Sequence, residues 1–156
     1  MSDQNEIPGP RFRHMDDEEW REIRAQQHGE RRVSVWEKWL EFSPRCMTMV
    51  GRWEPGMIVH KHGHNSHQVV YVLKGSMLCG DVVCTEGMHI TLDEGAALGP
   101  LIAGPEGVEL FEVMFGDPRS WPADPEGFEA LLAERGAVKL PNPPLTFPDW
   151  IQDSRN

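Results

Sequence analysis

Between Arg31 and Phe115 the apolar residues come in short runs, and glycine ends nearly every one. The runs are Met57-Ile58-Val59, Val69 to Leu73, Met77-Leu78-Cys79, Asp81 to Cys84, His89 to Leu92 and Val108 to Phe115. Turn signals fall at Gly51, Gly56, Gly75, Gly80, Gly87, Gly95, Gly99, Gly104-Pro105 and Gly116. Turns about 8 to 12 residues apart predict an all-β sandwich or barrel. Runs this short argue against a helical bundle and stop well below the ~18 apolar residues of a membrane span. Gly and Pro, 15 and 13 of 156 residues, also exceed their usual combined share of roughly 12%. The length suits one domain.

The ends of the chain read differently. Met1 to Glu6 is polar and reads as a disordered start. In the segment from Asp16 to Gln27, Trp20, Ile23, Arg24 and Gln27 fall at helical spacing before Gly29, which predicts a short amphipathic helix. From Arg31 the period changes to two, through Val33 and Val35, and Cys46 to Val50 reads as a further strand. After Asp117-Pro118, the sequence Asp124-Pro125-Glu126 is expected to cap a helix over Phe128 to Arg135, which Gly136 ends. Pro141 to Trp150, with four prolines, reads as an extended strap anchored by Leu145, Phe147 and Trp150. We therefore divide one domain into an N-terminal tail and helix (1–30), a barrel (31–116) and a C-terminal helix and strap (117–156).

Charge and cysteine usage narrow the partners. With 15 basic against 25 acidic residues the net charge is −10, so nucleic acid and anionic membrane surfaces are disfavoured. Three cysteines, an odd count with no secretory pattern ahead of them, fit reduced thiols in a cytoplasm. No glycine-rich phosphate loop, Ser-His-Asp order or Rossmann fingerprint is present.

Of seven histidines, four (His60, His62, His64 and His67) share one window of eight residues, where an even spread would place fewer than one. In a strand, alternate side chains share a face. His60, His62 and His64 would then point one way, and neighbouring imidazoles two apart can converge on a metal ion. Neutral imidazole is the commonest protein ligand for Zn, Fe, Ni and Cu.

The flanking residues fix a frame: Gly56, five residues, His62-Gly63-His64, three residues, Gln68, six residues, Gly75. This resembles the first signature of the cupin superfamily, with Gln68 in place of the usual glutamate. The second signature is best matched from Gly87 through Asp93 and Gly95 to Leu98, where Asp93 replaces a proline and Leu98 the third histidine. The resemblance covers about Arg31 to Phe115. It implies a double-stranded β-helix, or jelly-roll, barrel of the small single-domain type, with His62, His64 and Gln68 as ligands of a divalent transition metal (Fe, Zn, Ni or Mn).

Around that set, His60, about 6.6 Å along the strand from His62, is expected as a cavity or supporting residue, not a ligand. Leu98 is expected to project beside the imidazoles. Glu109 and Glu112 differ by an odd number, so one of them shares a face with apolar neighbours. If Glu112 faces inward its pKa is raised and it can act as a base; otherwise it is an exposed acid at the barrel mouth or a dimer face. The methionines, with Ile58, Val70 and Val72, predict an apolar cavity for a small organic molecule. Three functions fit: a metal-dependent enzyme (oxygenase, isomerase, cyclase or lyase), a metal-free binding or sensory barrel, and a dimerisation barrel with a vestigial site. A homodimer is expected in each case, from Trp20, Trp36, Trp39, Trp121 and Trp150 and from sheet edges that need covering.

Overall fold

The computed structural model describes residues 6–155; apart from Glu6, the polar start lies outside them. Among these residues the strands are β1 (Arg21–His28), β2 (Arg31–Phe42), β3 (Met47–Trp53), β4 (Ile58–Val59), β5 (His62–His64) and β6 (Gln68–Cys79). They continue with β7 (Val82–Thr85), β8 (His89–Leu92), β9 (Ala97–Leu98), β10 (Leu101–Met114) and β11 (Ser120–Pro122), then helix α1 (Pro125–Glu134) and β12 (Ala137–Lys139). One sheet runs β12-β1-β2-β3-β10-β6-β7, with β4 on β10 and β8 on β6; the other runs β11-β5-β9. Every pairing is antiparallel. The architecture is all-β, as the glycine spacing predicts, and a jelly-roll barrel, as the resemblance implies.

The turn glycines do more than punctuate. Gly75, at φ +74°, passes so close to Gly107 that a Cβ would collide with the Gly107 carbonyl oxygen. Within His62-Gly63-His64, a Cβ on Gly63 would run into the Trp121 ring of β11 and the Ala96 carbonyl next to β9. The glycine between the histidines is thus what lets the small sheet close over β5.

The expected N-terminal helix is not formed. Only Met15–Asp17 makes a 3-10 turn, and β1 occupies the rest, hydrogen-bonded to both β2 and β12. Its pairing with β2 slips between Glu22 and Arg24, a β-bulge at Ile23. The bulge breaks the period of two, so the apolar positions imitate helical spacing. The C-terminal helix is present: Asp124 caps it by accepting the Gly127 N–H at 3.0 Å, and Gly136 follows at φ +65°.

The core lies between the sheets around Met57, Met77, Leu101, Leu110 and Met114, each about 1% exposed. Ile58 leaves it for a smaller cluster with Leu132 and Ala137 under α1. Trp39, one of the tryptophans from which a homodimer is expected, is buried and offers no surface for one. Of the three cysteines only Cys84 is buried; Cys46 and Cys79 are intermediate. The proline-rich segment lies as an extended strap, with Leu145 and Phe147 packed on the core. Its rings pair with those of β2, Phe147 with Trp39 at 5.7 Å and Trp150 with Phe42 at 5.2 Å.

Candidate functional site

The histidine run is not one continuous strand. β4 pairs with β10 in the large sheet, whereas β5 pairs with β11 and β9 in the small one, so the chain changes sheets at His60-Lys61. The three imidazoles remain neighbours, with ring centroids 4.8 Å apart for His60 and His62 and 5.1 Å for His62 and His64. Each of the last two is clamped from behind. His62 Nδ1 lies 2.8 Å from the His60 carbonyl oxygen, and His64 Nδ1 lies 2.7 Å from that of Pro118. A carbonyl accepts only, so each Nδ1 carries the proton and each Nε2 keeps its lone pair. Burial, then the neighbouring His64, drives the His62 pKa down to about 3, and burial also lowers that of His64. Both rings are neutral at physiological pH. His60, pushed down to about 4 chiefly by burial, packs on Phe128 of α1 at 5.6 Å, and its Nε2 is buried without a partner.

Gln68 begins β6 and is 1% exposed. Its Nε2 donates to Glu112 Oε1 at 2.9 Å, while its own Oε1 is buried without a partner. Glu112 opens onto the cavity, which settles its direction: it is an interior carboxyl, not a rim acid. Burial, followed by the charge of Glu37, raises its pKa to about 8 despite the Gln68 hydrogen bond. Leu98, 7% exposed, stands in register opposite His62 across the β5–β9 pair and lines the cavity.

The cavity, of about 150 Å³, is walled by Met47, Met49, Val70, Met77, Leu110 and Met114. It is less uniformly apolar than the sequence suggests. Arg24, Glu37, Glu112 and Arg155 also face it, and strap residues from Leu145 to Arg155 close one side. Arg24 and Glu37 are functional candidates that sequence reasoning missed. Arg24 turns inward only because of the bulge, and Glu37 sits in a strand of otherwise ordinary amphipathic pattern; no local signal marks either one.

No family model matches the chain, and neither does any curated protein. Solved structures do. A putative acetylacetone dioxygenase from Methylibium petroleiphilum PM1 is similar at a TM-score of 0.58 and 14% identity, over 84% of this chain and 97% of that one. The polyketide cyclase RemF from Streptomyces resistomycificus gives 0.57 and 18%, over 74% and 86%. An RmlC-like cupin from Shewanella frigidimarina NCIMB 400 gives 0.55 and 21%, over 77% and 96%. The fold is that of the cupin superfamily.

In the cupin frame the first signature is built as expected: Gly56 and Gly75 both take positive φ, and His62 and His64 sit between them on β5. The donors that would hold a metal are the two clamped Nε2 atoms and the partnerless Gln68 Oε1. They fit a divalent ion in kind, being neutral nitrogens and an amide oxygen. Among the described residues, no three His, Cys, Asp or Glu side chains gather as a metal site. A third donor would therefore have to come from outside those four residue types, and Gln68, which does not itself line the cavity, offers its buried Oε1.

Proposed function

We propose that this cupin is an enzyme acting on a small, largely apolar organic substrate held in the barrel cavity, with His62, His64 and Gln68 holding a divalent transition metal. The observation that carries this reading is the pair of Nδ1-to-carbonyl clamps. Structural histidines have no need of two neighbouring, neutral Nε2 lone pairs on rings that line a cavity, whereas ligands do. A metal there would supply Lewis-acid polarisation of a substrate oxygen. The chain's own groups do the remainder. The methionines and Leu98 exclude water from the cavity. Glu112, fixed by Gln68 and open to the same cavity, is the group that can accept or return a proton. His60 supports His62 through its carbonyl and backs the cavity wall. Two of the similar structures, described as a cyclase and a putative dioxygenase, place enzyme chemistry on this fold, which supports the reading without choosing a reaction.

The alternative is a metal-free barrel that binds or senses a small molecule, and one observation favours it: Leu98 fills the place opposite His62 where a third imidazole would complete the set. Elemental analysis of untagged protein separates the two. Near-stoichiometric metal supports the enzyme; none after incubation with Fe, Zn, Ni and Mn favours the alternative. In either case we propose a cytoplasmic homodimer. Among the described residues no helix is long and apolar enough to cross a membrane.

A further inference from the structure

We propose that the outer face of the large sheet is the dimer interface, with the N-terminal arm of each copy covering the apolar patch of the other through Ile7 and Phe12. This rests on the homodimer of the preceding reading and assigns its surface.

The patch lies on the side of the sheet away from the cavity. Val50, Phe111, Tyr71 and His89 stand in register across β3, β10, β6 and β8, and the neighbouring row is Thr48, Val113, Val69 and Thr91. These residues alternate with Met49, Glu112 and Val70, which face the cavity, so they point outward. No Asp, Glu, Lys or Arg stands in either row, although 26% of the chain is charged. Charge begins at the next outward row, where Arg52 pairs with Glu109 at 3.0 Å and Glu109 stands opposite Lys74. An uncharged centre with a charged rim is the anatomy of a protein–protein interface. Exposed Leu73, the extra residue of the β6 bulge beside Tyr71, and exposed Phe115 extend the patch.

One end of these rows is already roofed by the arm. Val50 is 4% exposed, yet it packs in neither core cluster. Lys38, opposite Val50 in register, donates to the Met15 carbonyl at 2.9 Å. The Trp20 ring carries the Lys38 ammonium at 5.0 Å and the Arg52 guanidinium at 4.3 Å, and Arg11 pairs with Glu41 at 3.2 Å. So anchored, the arm still holds its own apolar side chains clear of its chain: Ile7 and Phe12 are 90% and 91% exposed. Pro8 and Pro10 stiffen the segment that carries Ile7.

An uncovered apolar arm beside an uncovered apolar patch, both on one face, suits a two-fold axis. With the axis in the plane between two such faces, each arm falls on the other copy's patch and every contact is made twice. Charge favours the same arrangement. Two copies at −10 each repel one another, and the uncharged rows let them meet without opposing like charges. A stiffened arm also loses little freedom on docking.

Phe12 and Tyr71 test the two halves separately. Sedimentation equilibrium is run on the parent, Phe12→Ser, Tyr71→Glu and Val138→Ser, the last an exposed apolar position on β12. The parent should be a dimer at micromolar concentration, and Val138→Ser should match it. Phe12→Ser and Tyr71→Glu should each weaken association by about tenfold or more, as loss of an aromatic anchor does. Should Tyr71→Glu fail to fold, Phe12→Ser, at a position that touches little of its own chain, carries the test. A parent dimer that Phe12→Ser leaves intact, or that Val138→Ser weakens equally, overturns this interface and leaves the homodimer standing. A parent that sediments as a monomer removes both.

Discussion

Leu98 lies directly across from His62, the two Cα atoms paired in register between β9 and β5. Cross-strand partners bring their side chains within about 5 Å. Leu98→His should therefore add a third imidazole beside the first two and tighten Zn or Ni binding tenfold or more, about 1.4 kcal/mol. Replacing a buried leucine with a polar ring will return some of this as lost packing. Calorimetric titration against the parent and His62→Ala is the check: His62→Ala should lose binding, and unchanged affinity in Leu98→His would place the third ligand elsewhere.

Gln68→Glu restores the usual cupin ligand but sets a second carboxyl against Glu112, where the Nε2–Oε1 hydrogen bond now measures 2.9 Å. Without metal, two carboxyls at that distance cannot both ionise. Holding one of them protonated should destabilise the apo protein near neutral pH by about 1–3 kcal/mol, which is roughly 3–10 °C in Tm for a chain of this size. Added Zn should reverse the loss, and thermal scans with and without metal read both effects. A Tm unchanged in the apo variant would contradict the packing described around Gln68.

Glu37 gives stability a pH dependence of definite sign. Its pKa is raised above the ordinary carboxylate value, by burial first. Such a group contributes full stability below the unfolded-state pKa of about 4.3, and that contribution is lost as pH rises through its folded value. Glu37→Gln removes the ionisation. The difference in unfolding free energy between variant and parent should grow in the variant's favour from pH 5 to pH 8.5, as measured by urea unfolding. A difference that stays flat would mean that Glu37 is charged in the fold.

The strap should be energetically real. Phe147 packs on Trp39 and the core, so Phe147→Ala should cost about 2–3 kcal/mol, at the lower end for a buried aromatic because the ring is only half-buried. Chemical denaturation gives the value, and a cost below 0.5 kcal/mol would mean that the strap does not hold in solution.

The outer face of the large sheet exposes Tyr71 and Leu73 at 39% and 44%. Sedimentation equilibrium at micromolar concentration should return twice the 17.7 kDa chain mass. A monomer would remove the proposed dimer.

What the sequence reveals here is what depends on local chemistry. The barrel is legible because Gly56, Gly75, Gly87 and Gly95 all need positive φ, and only glycine adopts it freely. His62, His64 and Leu98 are legible because their spacing is tied to those glycines. The strand β1 is not, since one unpaired residue at Ile23 suffices to disguise a period of two. Arg24, Glu37 and Arg155 are not either, because nothing near them in the chain tells an arginine or glutamate inside a barrel from the many on the surface. Gln68 and Glu112, 44 residues apart, become a pair only through the β6–β10 register.

The hydrogen bond from Arg155 to Ile23 spans 132 residues. The wall beside β1 is therefore supplied by residues 145–155, far along the chain from the strand they close against. Retaining a ligand and shielding a reaction from water thus depend on a long-range closure that the barrel strands do not make by themselves, and loss of that segment would open the cavity on that side.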